Sequence, residues 1–162
     1  MKDLTRPPRL LFVCLGNICR SPTAEAVMRQ LASRQQVALT VDSAGTYAGH
    51  KGEPPDSRSR AAGERRGYSF TGIKARPVVD SDFGDFDLIL AMDHSNLADL
   101  QRRCPPQYQH KLKLLLSYGD SGVAEVPDPY YGGPQGFERV LDLVEEACGQ
   151  LLNQIAQEQE LV

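Results

Sequence analysis

The sequence is poor in several features that would otherwise define its class. It has no tryptophan and only three histidines, and aromatic residues occupy 7% of its 162 positions. No apolar run reaches membrane-spanning length, basic residues form no extended run, and the formal net charge is −3. We therefore expect neither a membrane segment nor a nucleic-acid partner.

Cysteine is also scarce, and its four positions are widely scattered (Cys14, Cys19, Cys104 and Cys148). Their spacing suggests neither a zinc site nor a disulfide framework, so we expect free thiols, no metal and no cofactor. Residues 1–8 lack the apolar core of a secretion signal. These absences favour a cytoplasmic protein, which we expect to be a monomer.

Length and composition indicate a single domain. Hydrophobic residues make up 41% of the chain and charged residues 24%, as is ordinary for a globular protein. A chain of this size can bury one substantial core. We expect residues 1–8 to be a flexible N-terminal extension and residues 9–158 to form the domain.

Apolar runs alternate with helical patterns along the chain. The predicted strands are about 9–14, 37–42, 87–92 and 111–116, and the predicted helices are about 22–35, 57–66, 95–103 and 135–157. Strands separated by helices favour an α/β fold with a parallel sheet and helices on both faces. Right-handed crossovers make it doubly wound, with its site at the carboxyl edge of the strands.

The segment that we call the phosphate loop, residues 14–21, carries the strongest chemical signal. Cys14 and Arg20 lie six positions apart between a predicted strand and a predicted helix, in which Ser21 is the N-cap and Pro22 the first residue. Backbone N–H groups at such a junction stabilise a thiolate and bind phosphate at the same point. An arginine offers phosphate two parallel donors. The spacing alone is a weak signal, and the flanking strand and helix make it specific.

The stretch from Val13 to Glu25 resembles the signature of the low-molecular-weight protein tyrosine phosphatases. Residues 42–46, 91–96 and 128–132 resemble further family segments in the same order, so that the similarity covers about residues 10–152. The resemblance implies a four-stranded parallel sheet in the order 2-1-3-4. It also implies hydrolysis of phosphotyrosine in protein substrates without a metal or cofactor.

The same resemblance implies a role for three catalytic residues. Cys14 is the nucleophile that forms a phosphocysteine, and Arg20 stabilises the transition state. Asp128 is the general acid and then the general base. Its neighbours Pro127 and Pro129 restrict the backbone that carries the carboxyl group.

Other residues of the phosphate loop are expected to bind phosphate or support the loop. The phosphate-binding set is Leu15, Gly16, Asn17, Ile18, Cys19 and Ser21. Gly16 allows a sharp turn, Asn17 tolerates a positive φ, and the Ser21 hydroxyl donates to the Cys14 thiolate. The resemblance makes Ser43 the hydrogen-bond partner of Asn17.

The pocket walls and a second thiol complete the expected site. Tyr130 and Tyr131, beside the acid, and Tyr47 at the rim are predicted to flank a substrate phenyl ring. Cys19 resembles the second loop cysteine of the family and is the expected redox partner of Cys14.

Other activities stay open at this point. Arsenate reductase of the same fold needs two further cysteines, which residues 80–92 lack, and protein arginine phosphatase favours a smaller polar residue than Ile18. A phosphate-binding module without activity has no need of a nucleophile or an acid. Residues 67–76 lack the histidine that many animal members carry, so we leave Asp93 outside the catalytic set.

Overall fold

A computed structural model describes residues 6–130 and 132–160 of the chain. Four strands form one parallel sheet in the order β2-β1-β3-β4, which confirms the expected α/β fold and strand order. The strands are β1 (Arg9–Cys14), β2 (Thr40–Gly45), β3 (Leu88–Ala91) and β4 (Leu112–Leu114). The helices are α1 (Arg20–Gln35), α2 (Ser57–Arg65), α3 (Asp82–Asp85), α4 (His94–Arg103) and α5 (Pro134–Glu160), and 3-10 helices cover Pro106–Lys111 and Leu115–Tyr118.

Alternation along β1 explains why helices cover both faces of the sheet. Leu10 and Phe12 pack into one cluster with residues of α1, α2 and α5, whereas Leu11 and Val13 pack into another with residues of α3 and α4. All four side chains are buried, as expected for a central parallel strand.

Several element bounds differ from the predicted ones. The second strand begins at Thr40 rather than residue 37, because Gln36 takes a left-handed conformation (φ 56°) and closes α1. Helix α1 itself begins at Arg20, two residues earlier than predicted. The short helix α3 had no periodic pattern long enough to predict it.

The last residues of the expected N-terminal extension are packed against the domain. The Arg6 guanidinium donates to both oxygens of Asp87 at 3.1 Å, and the Pro8 carbonyl accepts from the Thr40 N–H at 2.8 Å. Residues 1–5 lie outside the described part of the chain. None of the helices described in residues 6–130 and 132–160 combines the length and apolar character needed to cross a bilayer.

Chain topology determines where the site lies. After β1 the chain adds β2 on one side, then crosses over to add β3 on the other side. The crevice beyond the carboxyl ends of β1 and β3 is therefore the switch point of the sheet, where α/β proteins bind ligands.

Two adjacent valines provide a test of the packing on the α4 face. Val78 is 4% exposed within that cluster, and Val79 is 46% exposed. We expect Val78→Ala to lower the free energy of unfolding by about 1–3 kcal/mol, because it removes buried methyl groups and leaves a cavity. Val79→Ala should change it by less than about 0.5 kcal/mol. Urea denaturation followed by circular dichroism measures both values, and equal losses would contradict this packing.

Candidate active site

Cys14 ends β1 at the carboxyl edge of the sheet and begins the phosphate loop. Its side chain is buried, and its Sγ accepts a hydrogen bond from the Asn17 N–H at 3.3 Å. The Ser21 Oγ lies 3.0 Å from the same sulfur. A thiolate here therefore has a backbone and a hydroxyl donor in place.

The start of α1 differs from the prediction in a way that matters for the thiol. The N-cap is Cys19, which makes no side-chain capping bond, so the prediction that Ser21 caps the helix is wrong. Ser21 instead lies inside the first turn, where its hydroxyl reaches Cys14. The positive end of the α1 dipole faces the phosphate loop.

Asn17 supports the loop from within, and its predicted positive φ is confirmed at 56°. Its side-chain Nδ2 donates to the Ser21 Oγ at 2.8 Å, and its Oδ1 accepts from the Arg76 N–H at 3.0 Å. The Arg76 guanidinium in turn pairs with Asp42 and Asp82. One buried amide thus connects the loop to the segment beside β2.

Ser43 differs from its expected role. Among the hydrogen bonds of the described residues, none joins Ser43 to Asn17; the Ser43 hydroxyl donates to the Glu25 carboxylate of α1 at 2.6 Å. Burial raises the pKa of Glu25, against the opposing effects of Ser43 and Arg29. Ser43 therefore stabilises the packing of β2 on α1 rather than the phosphate loop itself.

Two glycines allow the backbone to approach closely around the loop. A Cβ at Gly45 would lie 2.7 Å from the Leu15 carbonyl oxygen, so β2 can pass beside the loop only with glycine at this position. A Cβ at Gly16 would lie 2.9 Å from the His50 ring. Gly16 does not adopt a positive φ, so the sharp turn falls at Asn17 and Gly16 instead provides space.

The Arg20 side chain is buried and held by oxygen atoms from the segments that follow β3 and precede Asp128. Its Nη1 donates to the Asp93 Oδ2 at 2.6 Å and to the Val126 carbonyl at 3.0 Å. Burial disfavours its charged form, yet the pKa of Arg20 is raised, because Cys14, Asp93 and Asp128 surround it. The guanidinium is therefore a fixed cation next to the thiol.

Asp93, which the sequence led us to leave outside the catalytic set, lies in this site. One of its carboxylate oxygens binds Arg20, and the other accepts the Asn96 N–H at 2.7 Å, which caps α4. Its position directly after a buried parallel strand was a usable signal, because such residues converge at the carboxyl edge of the sheet.

Asp128 lies across the crevice on the segment that we call the acid loop, residues 126–130. Its Oδ1 accepts the Tyr130 N–H at 3.1 Å, and its Oδ2 lies 3.8 Å from the Arg20 Nη2. The side chain is 47% exposed. Cys14 and Arg20 of the phosphate loop are therefore brought together with Asp128 of the acid loop, more than 100 positions further along the chain.

These residues border a cavity of about 320 Å³. Its lining residues are Cys14, Leu15, Gly16, Ile18, Cys19, Arg20, Tyr47, His50, Asp128 and Tyr130. Tyr47 and Tyr130, two of the expected pocket residues, line it, whereas Tyr131 lies outside the described residues. A larger cavity of about 560 Å³, where β1 and β3 begin, contains none of the predicted catalytic residues.

Cys19 differs sharply from Cys14 in its surroundings. It is buried at the N-cap of α1, close to the side chain of Ser59. Burial raises the pKa of Cys19 to about 12, and the Asp56 carboxylate adds to this increase. The Cys19 side chain is therefore a neutral thiol at physiological pH.

Comparison with known proteins places this geometry among well-defined relatives. A family model described as low molecular weight phosphotyrosine protein phosphatase matches residues 9–161. The chain is 44% identical over 155 residues to a low molecular weight protein-tyrosine-phosphatase of Bacillus subtilis, covering 94% of this chain and 98% of that protein. It is 43% identical over 143 residues to the human low molecular weight phosphotyrosine protein phosphatase, covering 86% and 90%.

Solved structures agree with the sequence relatives. The crystal structure of a protein tyrosine phosphatase from Entamoeba histolytica, with Hepes in its active site, superposes with a TM-score of 0.90. The two chains are 47% identical, and the match covers 94% of this chain and 99% of the other.

Thiol labelling tests the contrast between the two loop cysteines. We expect iodoacetate at pH 8 to modify Cys14 in the native protein, with inorganic phosphate protecting it by occupying the same loop. Cys19 should stay unmodified, because its pKa of about 12 keeps it protonated. Mass spectrometry of proteolytic peptides identifies the labelled residue. Labelling of Cys19 as fast as Cys14 would refute this assignment.

Proposed function

The chain belongs to the low molecular weight phosphotyrosine protein phosphatases and is a protein-tyrosine phosphatase; from this premise we propose that Cys14, Arg20 and Asp128 carry its two-step hydrolysis. The observation that supports the assignment is their convergence on one cavity of about 320 Å³. The proposal places a nucleophile, a fixed cation and a proton donor around one bound phosphoryl group.

In the first step the Cys14 thiolate attacks phosphorus, and the bond from phosphorus to the phenol oxygen breaks. Because a free phenol has a pKa of about 10, the departing oxygen needs a proton, which Asp128 supplies. Tyrosine leaves, and the phosphoryl group remains on sulfur as a phosphocysteine.

In the second step water attacks the phosphocysteine, and the Asp128 carboxylate accepts its proton. The sulfur–phosphorus bond breaks, phosphate is released, and the thiolate is restored. The Ser21 hydroxyl, 3.0 Å from the sulfur, is placed to donate to the departing thiolate.

The phosphoryl oxygens would be bound by the phosphate loop and by Arg20. The loop leads into the N-terminus of α1, where backbone N–H groups would bind the anion, and Arg20 would offer two parallel donors to equatorial oxygens. We assign this binding set as Leu15, Gly16, Asn17, Ile18, Cys19 and Ser21. Asp93 is a positioning residue, because it holds the Arg20 guanidinium at 2.6 Å without facing the substrate.

Substrate choice follows from the depth and walls of the cavity. Tyr47 and Tyr130 on the rim, with Leu15, offer apolar surface on which a phenyl ring can pack. The aromatic ring would carry the phosphoryl group down to the buried sulfur, whereas the short side chain of phosphoserine would not reach it. Proteins that bear phosphotyrosine are therefore the proposed substrates.

Redox behaviour and cellular setting form a further part of the proposal. Oxidation of Cys14 by peroxide would give a sulfenic acid, and condensation with the Cys19 thiol would release water and form a disulfide that thiols reduce.

Four free cysteines suit a reducing compartment, so we propose a cytoplasmic location. We further propose a monomer that has neither membrane nor nucleic-acid partners.

The direct test is hydrolysis of three peptides with the same sequence, bearing phosphotyrosine, phosphoserine or phosphoarginine. We expect turnover of the phosphotyrosine peptide alone, measured as phosphate release. Cys14→Ser should abolish turnover, since it removes the nucleophile. Asp128→Asn should lower it about 10²- to 10⁴-fold, because the leaving oxygen loses its proton donor.

Other outcomes of this experiment would overturn parts of the proposal. Preference for phosphoarginine would indicate a protein arginine phosphatase. Failure on every peptide, with reduction of arsenate in the presence of thiols, would indicate arsenate reductase. Full activity of Cys14→Ser would exclude the phosphocysteine mechanism.

Asp93→Asn tests the positioning role. We expect it to lower kcat/KM for the phosphotyrosine peptide by about 10- to 100-fold, because Arg20 loses a charge-assisted hydrogen bond. The melting temperature should change little, because asparagine can still cap α4. Asp87→Asn, which disturbs a comparable pair with Arg6 at the other end of the sheet, is the matched control. Equal activity in the two variants would remove Asp93 from the mechanism.

A further inference from the structure

The acid loop is fixed on one side of Asp128 by the sheet. The Val126 N–H donates to the Met92 carbonyl at 2.8 Å, and the Val126 carbonyl accepts from Arg20 at 3.0 Å. On the other side of Asp128 the residue that shares a hydrogen bond with its carboxylate is Tyr130. Where Tyr130 lies therefore bears directly on where the Asp128 carboxyl group points.

Arg58, near the start of α2, lies between the acid loop and α5. Its Cζ is 5.3 Å from the Tyr130 ring centroid and 4.8 Å from the Phe137 ring centroid, both within cation–π range. The Phe137 ring is buried near the start of α5, in the main hydrophobic cluster. The guanidinium thus connects the acid loop to a fixed part of the fold.

A carboxylate fixes the orientation of that guanidinium. Arg58 Nε donates to the Asp56 Oδ1 at 3.2 Å, and its Nη2 donates to the Asp56 Oδ2 at 3.0 Å. The Asp56 N–H donates to the Ile18 carbonyl of the phosphate loop at 2.7 Å. A continuous set of contacts therefore runs from the phosphate loop through Asp56 and Arg58 to Tyr130.

We propose that Arg58 is a positioning residue for the general acid. It holds Tyr130 in place, and through Tyr130 it fixes the position of the Asp128 carboxyl group relative to the phosphate loop. The inference rests on the proposed role of Asp128. Arg58 does not line the cavity, so it acts without touching the substrate. Bidentate pairing with Asp56 and a planar guanidinium that can lie over an aromatic ring are both properties of arginine that lysine lacks.

A comparison of leaving groups separates this role from general stability. Phenyl phosphate releases a phenol that needs a proton, whereas 4-nitrophenyl phosphate releases a more acidic phenol that needs little help. Arg58→Gln should lower kcat/KM for phenyl phosphate by about 3- to 10-fold and for 4-nitrophenyl phosphate by less than about twofold. The matched control is Arg60→Gln, since Arg60 lies on the same helix and pairs only with Glu64, at 4.0 Å, among the described residues. The ratio of kcat/KM for 4-nitrophenyl phosphate to kcat/KM for phenyl phosphate should therefore rise in Arg58→Gln. In Arg60→Gln this ratio should equal that of the wild type.

A double variant tests whether the effect of Arg58 on Asp128 passes through Tyr130. In Tyr130→Leu, Arg58→Gln should cause no further change in the ratio, because the contact through which it acts is already lost. An unchanged ratio in Arg58→Gln, or equal losses on both substrates with a lower melting temperature, would overturn the proposal and leave Asp128 as the acid. If Asp128→Asn itself fails to raise the ratio, the acid assignment falls, and the inference about Arg58 falls with it.

Discussion

A left-handed backbone turn at Asn17 is the constraint on which the active site depends. Amide N–H groups that converge on one point repel each other until an anion binds, so the loop needs support from within the protein. The Asn17 side chain provides it by bonding the Ser21 hydroxyl on one side and the Arg76 backbone on the other. Arg76 is fixed between Asp42 and Asp82, so the loop is held open in advance of phosphate.

The charged groups around the Cys14 thiol are also in position before phosphate binds. Arg20 is buried beside Cys14, and burial of a lone cation would be costly. Asp93 offsets this cost and fixes the guanidinium plane, while the more exposed Asp128 contacts it only at 3.8 Å. Asp93, the close partner of Arg20, is not among the residues that line the cavity, whereas Asp128, the more distant partner, is. A phosphate dianion can therefore gain the Arg20 donors without displacing the carboxylate that orients them.

What the sequence could predict depended on how local each feature is. The strand, loop and helix around Cys14, and the positive φ of Asn17, follow from neighbouring residues, whereas the strand order rested on family resemblance. Hydroxyl partners were predicted only in part: Ser21 contacts the Cys14 thiol as expected but does not cap α1, and Ser43 bonds a buried glutamate instead of Asn17. Asp93 was left outside the catalytic set because residues 67–76 lack a histidine, and its contact with Arg20, 73 positions away, carries no periodic signal that could have corrected this.

The two halves of the catalytic apparatus rest on parts of the fold that differ in local stability. Cys14 ends the central strand, whose hydrogen bonds run to both neighbours, whereas Asp128 lies on a loop outside the sheet, with its side chain 47% exposed. Loops of this kind open well before buried strands do. Mild heating would therefore disorder Asp128 while Cys14 remains in place. The enzyme would first lose its activity on substrates whose leaving group needs a proton. Warming would narrow its range of substrates before it abolished catalysis.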